Sequence, residues 1–344
     1  MMWGSSRAYK QTIGFLSRTM ICYKNTEEFH IEESTALSLG KFDGVHRGHE
    51  ELLARLMYDK RQGLKAAVFT FDIPPKKLTE NHNYRLLTTN QEKQAILEER
   101  GVDYLLQCPF TPEVMHMEPE DFVAWLVHDL HVKSIVVGTD FRFGHNRRGD
   151  RELLGQLAPK YGYELTVVEK LQYQGRDISS TYVREEILKG NMQTANELLG
   201  YPFFVQSEVI HGRQLGRTLG IPTINMELPA EKLLPPKGVY VTRVMISGQR
   251  YTGVTNVGQK PTVSSNHKVN VETHILDYEG DLYGQVLRVS FLAFIRPEQK
   301  FASVEELKAQ MERDIETGRR LVEEDEAQSL DCEMQPNCCM NNKI

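Results

Sequence analysis

Apolar positions along the chain fall into two textures. Up to about residue 200, short apolar runs alternate with stretches of helical period. "MICYKNTEEF" reads as a first strand opened by Met20, and "ALSLGKF" (36–42) is a short apolar run that ends at a glycine. "HEELLARLMYDKRQG" (49–63) follows, with Leu52, Leu53, Leu56 and Met57 on one helical face and Gly63 as a stop. "KAAVFTF" (65–71) predicts a buried strand, "TTNQEKQAILEERG" (88–101) a capped helix and "VDYLLQCPF" (102–110) a strand. A helix over "EPEDFVAWLVHDLH", a strand over "VKSIVVG" (132–138), a helix over "DRELLGQLAPKYG" and a strand over "YELTVVE" continue the series. Strands alternating with helices predict βαβ units and a parallel sheet covered on both faces.

Past the helical stretch "STYVREEILKGNMQTANELLGYPF" (180–203) the period changes from helical to alternating. "FVQSEVIHG", "GVYVTRVMISG", "RYTGVTNVG", "HKVNVETHIL" and "GQVLRVSFLAFI" are short strands separated by turn residues. They predict a small antiparallel barrel or sandwich. A terminal helix follows, with Val304, Leu307, Met311 and Ile315 on one face. The predicted organisation is an N-terminal extension (1–19), an α/β domain (20–200), a β domain (203–325) and a disordered tail (326–344).

Composition changes this picture little. A length of 344 residues exceeds what one core usually supports, about 250–300, which agrees with two domains. Lys and Arg number 41 against 47 Asp and Glu, so the chain has no polyanion-binding footprint and no nucleic-acid partner is expected. No apolar run reaches the length of a membrane span, so no membrane partner is expected. Five scattered cysteines without CxxC spacing argue against a disulfide framework and fit a cytoplasmic setting. Residues 1–19 carry three cations and no acid, as a weak transit peptide would, but an upstream extension or misassigned start fits better.

Chemistry enters at "GKFDGVHRGHE" (40–50), where the first apolar run gives way to a helix. Ligands of open parallel sheets sit beyond the carboxyl ends of strands. Glycines there let backbone approach a phosphate, and the following helix presents free N–H groups. His46 and His49 then serve as donors to oxygens whose charge grows during substitution at phosphorus. An H-x-x-H pair alone is also common by chance, and as metal ligands it lacks a third partner.

The complete string GxFDGxHxGH resembles the signature of HxGH nucleotidyltransferases, as found in the bifunctional bacterial riboflavin kinase/FAD synthetase family. "VGTDFRFGHNRRGD" (137–150) is similar to that family's flavin-side segment and "ISSTYVREEILKGN" (178–191) to its ISSTxIRxxLxxG motif. The resemblance implies ATP contacts from Gly40, Phe42, Asp43, Gly44, Gly48, Ser180, Thr181 and Arg184. It implies flavin contacts from Asp140, Phe141 and Phe143. Standing alone, "SSTYVR" also reads as a plain helix cap, and "DFRFG" as a loop anchored by core phenylalanines. The family's Phe-x-Pro-His-Pro-like string is replaced by "FTFDIPPKK" (69–77), without its histidine.

"HGRQLGRTLGIPTINM" (211–226) resembles the GRxLGFPTAN segment of riboflavin kinases. Gly212, Gly216, Arg217 and Gly220 are then expected against ATP, and Thr223 and Asn225 offer hard oxygens for Mg²⁺. Unaided, this glycine-rich stretch is equally a bulge or turn. "NVETHILDYEGDLYG" (270–284) resembles VExHIxDFxxDLYG. Alternation puts Val269, Val271, Thr273 and Ile275 on one strand face and Asn270, Glu272 and His274 on the other. By resemblance, Glu272 is the base that accepts the riboflavin 5′-hydroxyl proton. The implied activity is phosphorylation of riboflavin to FMN, then adenylylation of FMN to FAD, with ATP and Mg²⁺ for both. The alternatives are a kinase with a degenerate nucleotidyltransferase module, or a non-catalytic flavin-binding regulator. Oligomeric state is not legible.

Overall fold

In a computed structural model of the chain, residues 20–334 are described, apart from residues 25, 73–83, 213–215, 217–218 and 260–268. The expected N-terminal extension and residues 335–344 lie outside the described residues. Two compact units divide the chain, Met1–Tyr182 and Val183–Ile344.

The first unit holds a hairpin of β7 (Gln172–Tyr173) and β8 (Arg176–Asp177) and six longer strands: β1 (Ile21–Lys24), β2 (Thr35–Leu39), β3 (Lys65–Phe71), β4 (Tyr104–Cys108), β5 (Val132–Gly138) and β6 (Glu164–Val168). They form one parallel sheet in the order β1-β4-β3-β2-β5-β6. Its helices are α1 (Arg47–Arg61), α2 (Asn90–Glu99), α3 (Pro112–His116), α4 (Pro119–Leu130) and α5 (Arg151–Tyr161). Side chains alternate across the sheet. Leu37, Leu39, Ala67, Phe69, Leu106, Ile135 and Val137 share a core with Phe122, Leu126 and Leu154 of α4 and α5. The residues between them face the other way. Ser134 there donates to Asp59 of α1 at 2.7 Å. Helix α2 starts as the sequence dictates, with a capping box between Thr89 and Glu92.

The order of the sheet fixes where ligands can bind. From β2 the chain steps outward through β3 and β4, then returns to place β5 on the other side of β2. The ends of β2 and β5 therefore flank a topological switch point, where open sheets leave a crevice. "GKFDGVHRGH" follows β2 and "TDFRFG" follows β5.

Helix α6 (Ser180–Leu188) carries the chain past the division between the units. The helical stretch breaks at Gly190, whose φ is +78°, and resumes as α7 (Met192–Leu199). Asn196 of α7 donates to the Phe291 carbonyl at 2.9 Å and accepts from the Phe203 amide at 2.7 Å, which ties α7 to the second unit.

That unit is a closed antiparallel barrel of β9 (Phe204–Ile210), β10 (Ile224–Glu227), β11 (Gly238–Ile246), β12 (Gln249–Gln259), β13 (Val269–Ile275) and β14 (Val286–Arg296), in the order β10-β13-β12-β11-β14-β9. Of the two all-β arrangements expected, the barrel is the one formed. Its interior holds a hydroxyl chain: Thr255 Oγ1 lies 2.7 Å from Thr242 Oγ1 and 2.8 Å from Thr273 Oγ1. All three residues are fully buried, so each hydroxyl is satisfied by its neighbour on the next strand.

Helix α8 (Val304–Met334) closes the unit and runs into the stretch read as an unstructured tail. No glycine or proline interrupts the sequence between Gly318 and Pro336. Val304, expected on the apolar face, is 50% exposed because it sits in the first turn, whereas Leu307, Met311 and Ile315 line a cavity. Strand β10, helix α3 and a two-residue hairpin (Gln172–Tyr173 with Arg176–Asp177) were not expected from the pattern. Each is too short to carry a period.

Candidate active sites

Beyond β2 the backbone enters a strained loop. Phe42 and Val45 both have positive φ, +47° and +37°, and both are fully buried. Such conformations cost non-glycine residues about 1–3 kcal/mol each and persist only where surroundings impose them. Here they do. The Asp43 carboxylate accepts from the Leu87 and Thr88 amides at 2.9 and 3.3 Å and from the Tyr84 hydroxyl at 3.0 Å. Thr88 Oγ1 accepts from the Gly44 amide, and Ser180 Oγ donates to the Asp43 carbonyl at 2.8 Å. Asp43 and Ser180, expected as ATP contacts, are thus also the staples of the loop.

The loop delivers two stacked imidazoles. The ring centroids of His46 and His49 are 3.9 Å apart, and Phe42 stacks on His49 at 4.9 Å. A Cβ on Gly48 would come within 3.2 Å of the His46 ring, so the glycine between the histidines is what lets the rings meet. His46 is 7% exposed, and burial depresses its pKa to about 4 against the opposing pull of Asp43. His49 is half-buried as a residue, but its Nδ1 is buried. Burial, and then the neighbouring His46 and Lys93, holds it well below the usual imidazole range. Both rings are therefore neutral at pH 7.

Both Nδ1 atoms are buried without a hydrogen-bond partner among the described residues. A buried unpaired N–H costs more than a buried lone pair, which favours the Nε2–H tautomer of His49.

The other expected residues of this site are spread more widely. Gly40 sits against the Phe42 ring, and its amide donates to the Phe69 carbonyl at 3.2 Å. Thr181 is exposed in the first turn of α6, and Arg184 lies one turn further on, past the division between units. Asp140 is exposed and pairs with Lys170 at 3.1 Å. Phe143 is 6% exposed and belongs to the sheet core, with Phe141 stacked on it at 5.6 Å. Of the divergent string 69–77, residues from 73 lie outside the described residues. The sequence reading passed over Tyr84, Thr88, Thr70 and Lys93. They lie far along the chain, and only the fold brings them to the loop.

The second site is built on β13. Val271 and Thr273 are fully buried in the barrel and Glu272 points outward, as alternation requires. Glu272 lines a cavity of about 590 Å³ together with Thr223, Gly216, Asn256 and His274. One amide orders the polar wall: Asn270 Nδ2 donates to Glu272 Oε1 at 2.7 Å and to Asn225 Oδ1 at 3.1 Å. Asn225 pairs in register with Glu272 but is itself buried behind the wall. The His274 ring nitrogen lies 2.7 Å from the Pro222 carbonyl, joining β13 to the glycine-rich segment. A Cβ on Gly216 would lie 2.3 Å from the Ile221 carbonyl, so the segment folds back on itself only with glycine there. Gly212 abuts the Asn225 amide, and Gly220 is exposed. Arg217 lies outside the described residues.

Opposite this polar wall, Leu307, Met311 and Ile315 of α8 supply an apolar one. Arg296 at the cavity edge is held to α8 by a bidentate pair with Asp314, at 2.7 to 3.2 Å, and Asp314 also accepts from Gln310 at 2.9 Å. Among the described residues no cluster of three acidic, histidine or cysteine side chains stands ready for a metal. The hydroxyl and amide oxygens of Thr223 and Asn225 are of the hard kind that suits Mg²⁺, which takes few protein ligands and completes its shell with phosphate and water.

Each unit matches a family model: "FAD synthetase" over residues 28–182 and "Riboflavin kinase" over residues 199–322. The bifunctional riboflavin kinase/FMN adenylyltransferase of Escherichia coli K12 is 41% identical over 293 residues, 84% of this chain and 93% of that protein. This chain belongs to that family. The Listeria monocytogenes protein of the same description is 34% identical over 286 residues, 82% of this chain and 91% of its own length. A solved structure described as a macrolide-efflux protein from Streptococcus pneumoniae aligns with a TM-score of 0.78 at 32% identity, covering 87% of this chain and 98% of that one. The resemblance seen in the sequence is borne out, and so is the fold of a parallel sheet followed by a barrel. No helix among the described residues is long and apolar enough to cross a membrane.

Proposed function

We propose that the second unit phosphorylates riboflavin to FMN with ATP, and that the first transfers AMP from a second ATP to FMN, giving FAD and pyrophosphate. The observation that carries this reading is that both family models match, each over a stretch with its own reactive cluster.

In the kinase step, Glu272 accepts the proton of the riboflavin 5′-hydroxyl as that oxygen attacks the γ-phosphorus of ATP. Asn270 engages Oε1 and fixes the carboxylate plane, so the second oxygen meets the hydroxyl. Bound Mg²⁺, held by Thr223 and Asn225, would neutralise phosphate charge. The apolar face of α8 accommodates the flavin ring, and Gly212, Gly216 and Gly220 lie along the phosphates.

In the adenylyl step no base is required, because the FMN phosphate is already an anion. What the transition state needs is donors at the α-phosphorus, and the Nε2–H groups of His46 and His49 supply them in an enclosed site. Ser180, Thr181 and Arg184 then face the outer phosphates of ATP, and Asp140 and Phe141 the flavin. Phe143 acts by holding Phe141 from the core.

Purified protein given riboflavin and Mg-ATP, followed by chromatography with time, tests the reading: FMN appears first and FAD follows. FMN without FAD would instead support a kinase with a silent first unit, a second reading favoured by the missing histidine in "FTFDIPPKK". Flavin binding without ATP turnover would support a regulator. A cytosolic setting, with small molecules rather than nucleic acid or membrane as partners, is part of the same proposal, as are the domain limits 20–200 and 203–325.

A further inference from the structure

Lys93 is 4% exposed, on α2, and its ammonium enters the base of the histidine loop. Nζ donates to the Lys41 carbonyl at 3.1 Å and to Thr70 Oγ1 at 3.4 Å. Thr70 Oγ1 donates to the same carbonyl at 3.0 Å. A buried ammonium is expensive to keep, and burial brings the Lys93 pKa down to about 8 despite the carboxylates of Asp43 and Asp72. Neither of these two acceptors is charged, and a methionine would fill a similar volume without that cost. Packing alone therefore gives no reason for a lysine.

The position of the contact does. Lys41 is the last residue before Phe42, where the backbone turns into its strained left-handed conformation. The Phe42 ring stacks on His49. A carbonyl clamped by two donors fixes the peptide plane on which that turn starts. The charge acts as well. Lys93 is one of the groups holding His49 neutral, together with burial and His46.

We infer that Lys93 is a positioning residue for adenylyl transfer, clamping the Lys41 peptide so that Phe42 holds the His49 ring aligned. The inference rests on the role proposed above for His49. Displacing a reacting group by about 1 Å costs on the order of 100-fold in rate. The groups that bear on the ammonium are Asp43 from the loop, Asp72 beyond β3 and His49 from α1.

The test compares Lys93→Met, Thr70→Val and His49→Ala in the full chain, measuring FAD formation from FMN and Mg-ATP against pH, with riboflavin phosphorylation on the same preparations as the control. For Lys93→Met we expect kcat for FAD formation to fall about 10- to 100-fold with the KM for FMN little changed. The acid limb of its pH profile moves to higher pH, because the charge that repels a proton from His49 is gone. Thr70→Val keeps the charge, so it gives a smaller fall, about threefold, with the acid limb in place. Wild-type kcat and an unmoved limb in Lys93→Met overturn the inference while His49→Ala still abolishes FAD formation. If His49→Ala retains FAD formation, the histidine reading itself fails and takes this inference with it. Should Lys93→Met not fold, an unchanged kcat in Thr70→Val overturns it instead.

Discussion

The proposed reactive groups of the first unit are two imidazoles pressed together at a strand end, held neutral by burial and carried by a loop with two left-handed residues. In the second unit the proposed reactive group is a single carboxylate on a regular barrel strand, facing a cavity of about 590 Å³. The difference follows the nucleophile. An alcohol must lose a proton as it attacks, which asks for an acceptor that a substrate can reach. A phosphate monoester has no such proton, so what counts is fixed donors, and fixed donors are better for being enclosed. Precision costs more in the first case: the loop stores strain that Asp43, Thr88 and Ser180 must offset, whereas β13 needs only its ladder and Asn270.

Four experiments sharpen or break this contrast. The largest effect is expected from Glu272→Ala, which should lower FMN formation by about 10²–10⁴-fold while FAD formation from supplied FMN persists. Loss of both activities would show that the sites are not independent. Next, Asp314→Ala strands the Arg296 guanidinium at the cavity edge, where the paired side chains are only 18% and 4% exposed. We expect the second unit to lose about 3–5 kcal/mol of stability in denaturant titration, with a raised KM for riboflavin and no change in FAD formation from FMN. Third, His49→Ala should cut FAD formation by about 10²–10³-fold and spare the kinase, as single-turnover assays of each step would read.

The smallest effect concerns acid. The folded pKa of His46 is depressed, so its contribution to stability is complete above the unfolded value of 6.5 and is lost as pH falls toward about 4. The loss for His46 spans that window, and His49 adds in the same direction. Thermal unfolding from pH 7 to 4 should therefore weaken the first unit before the barrel. Equal sensitivity in the two units would contradict the burial argument.

Much of this was legible in the sequence because local pattern and tertiary role coincide. The apolar runs of β3 and β5 and the capping box of α2 name their elements directly. The alternation along "VNVETHI" separates Glu272 from the barrel core without any fold in hand. Motif strings placed His46, His49, Asp43 and Gly48 together because a single loop carries them. What stayed hidden depends on distant contacts. Lys93 looks like one more polar residue of an amphipathic helix until α2 packs beside the loop. Phe143, read as a flavin contact, proves to be a core residue, since an aromatic in a loop has the same pattern in either role. Strand β10 hid inside a glycine-rich segment, and the hairpin at residues 172–177 carries too few residues for alternation to register.

The central place of β2 has a consequence for how the protein is made. Its Thr35 pairs with Lys65 on one flank and with Val132 on the other. A nascent chain leaving the ribosome can complete the first pairing early, but the second needs a partner almost a hundred residues beyond Thr35. Closing so long a span is slow. The histidine loop sits at the tip of β2, so it is among the last features of its sheet to be braced, and until then Phe42 and Val45 have little reason to hold their left-handed turns.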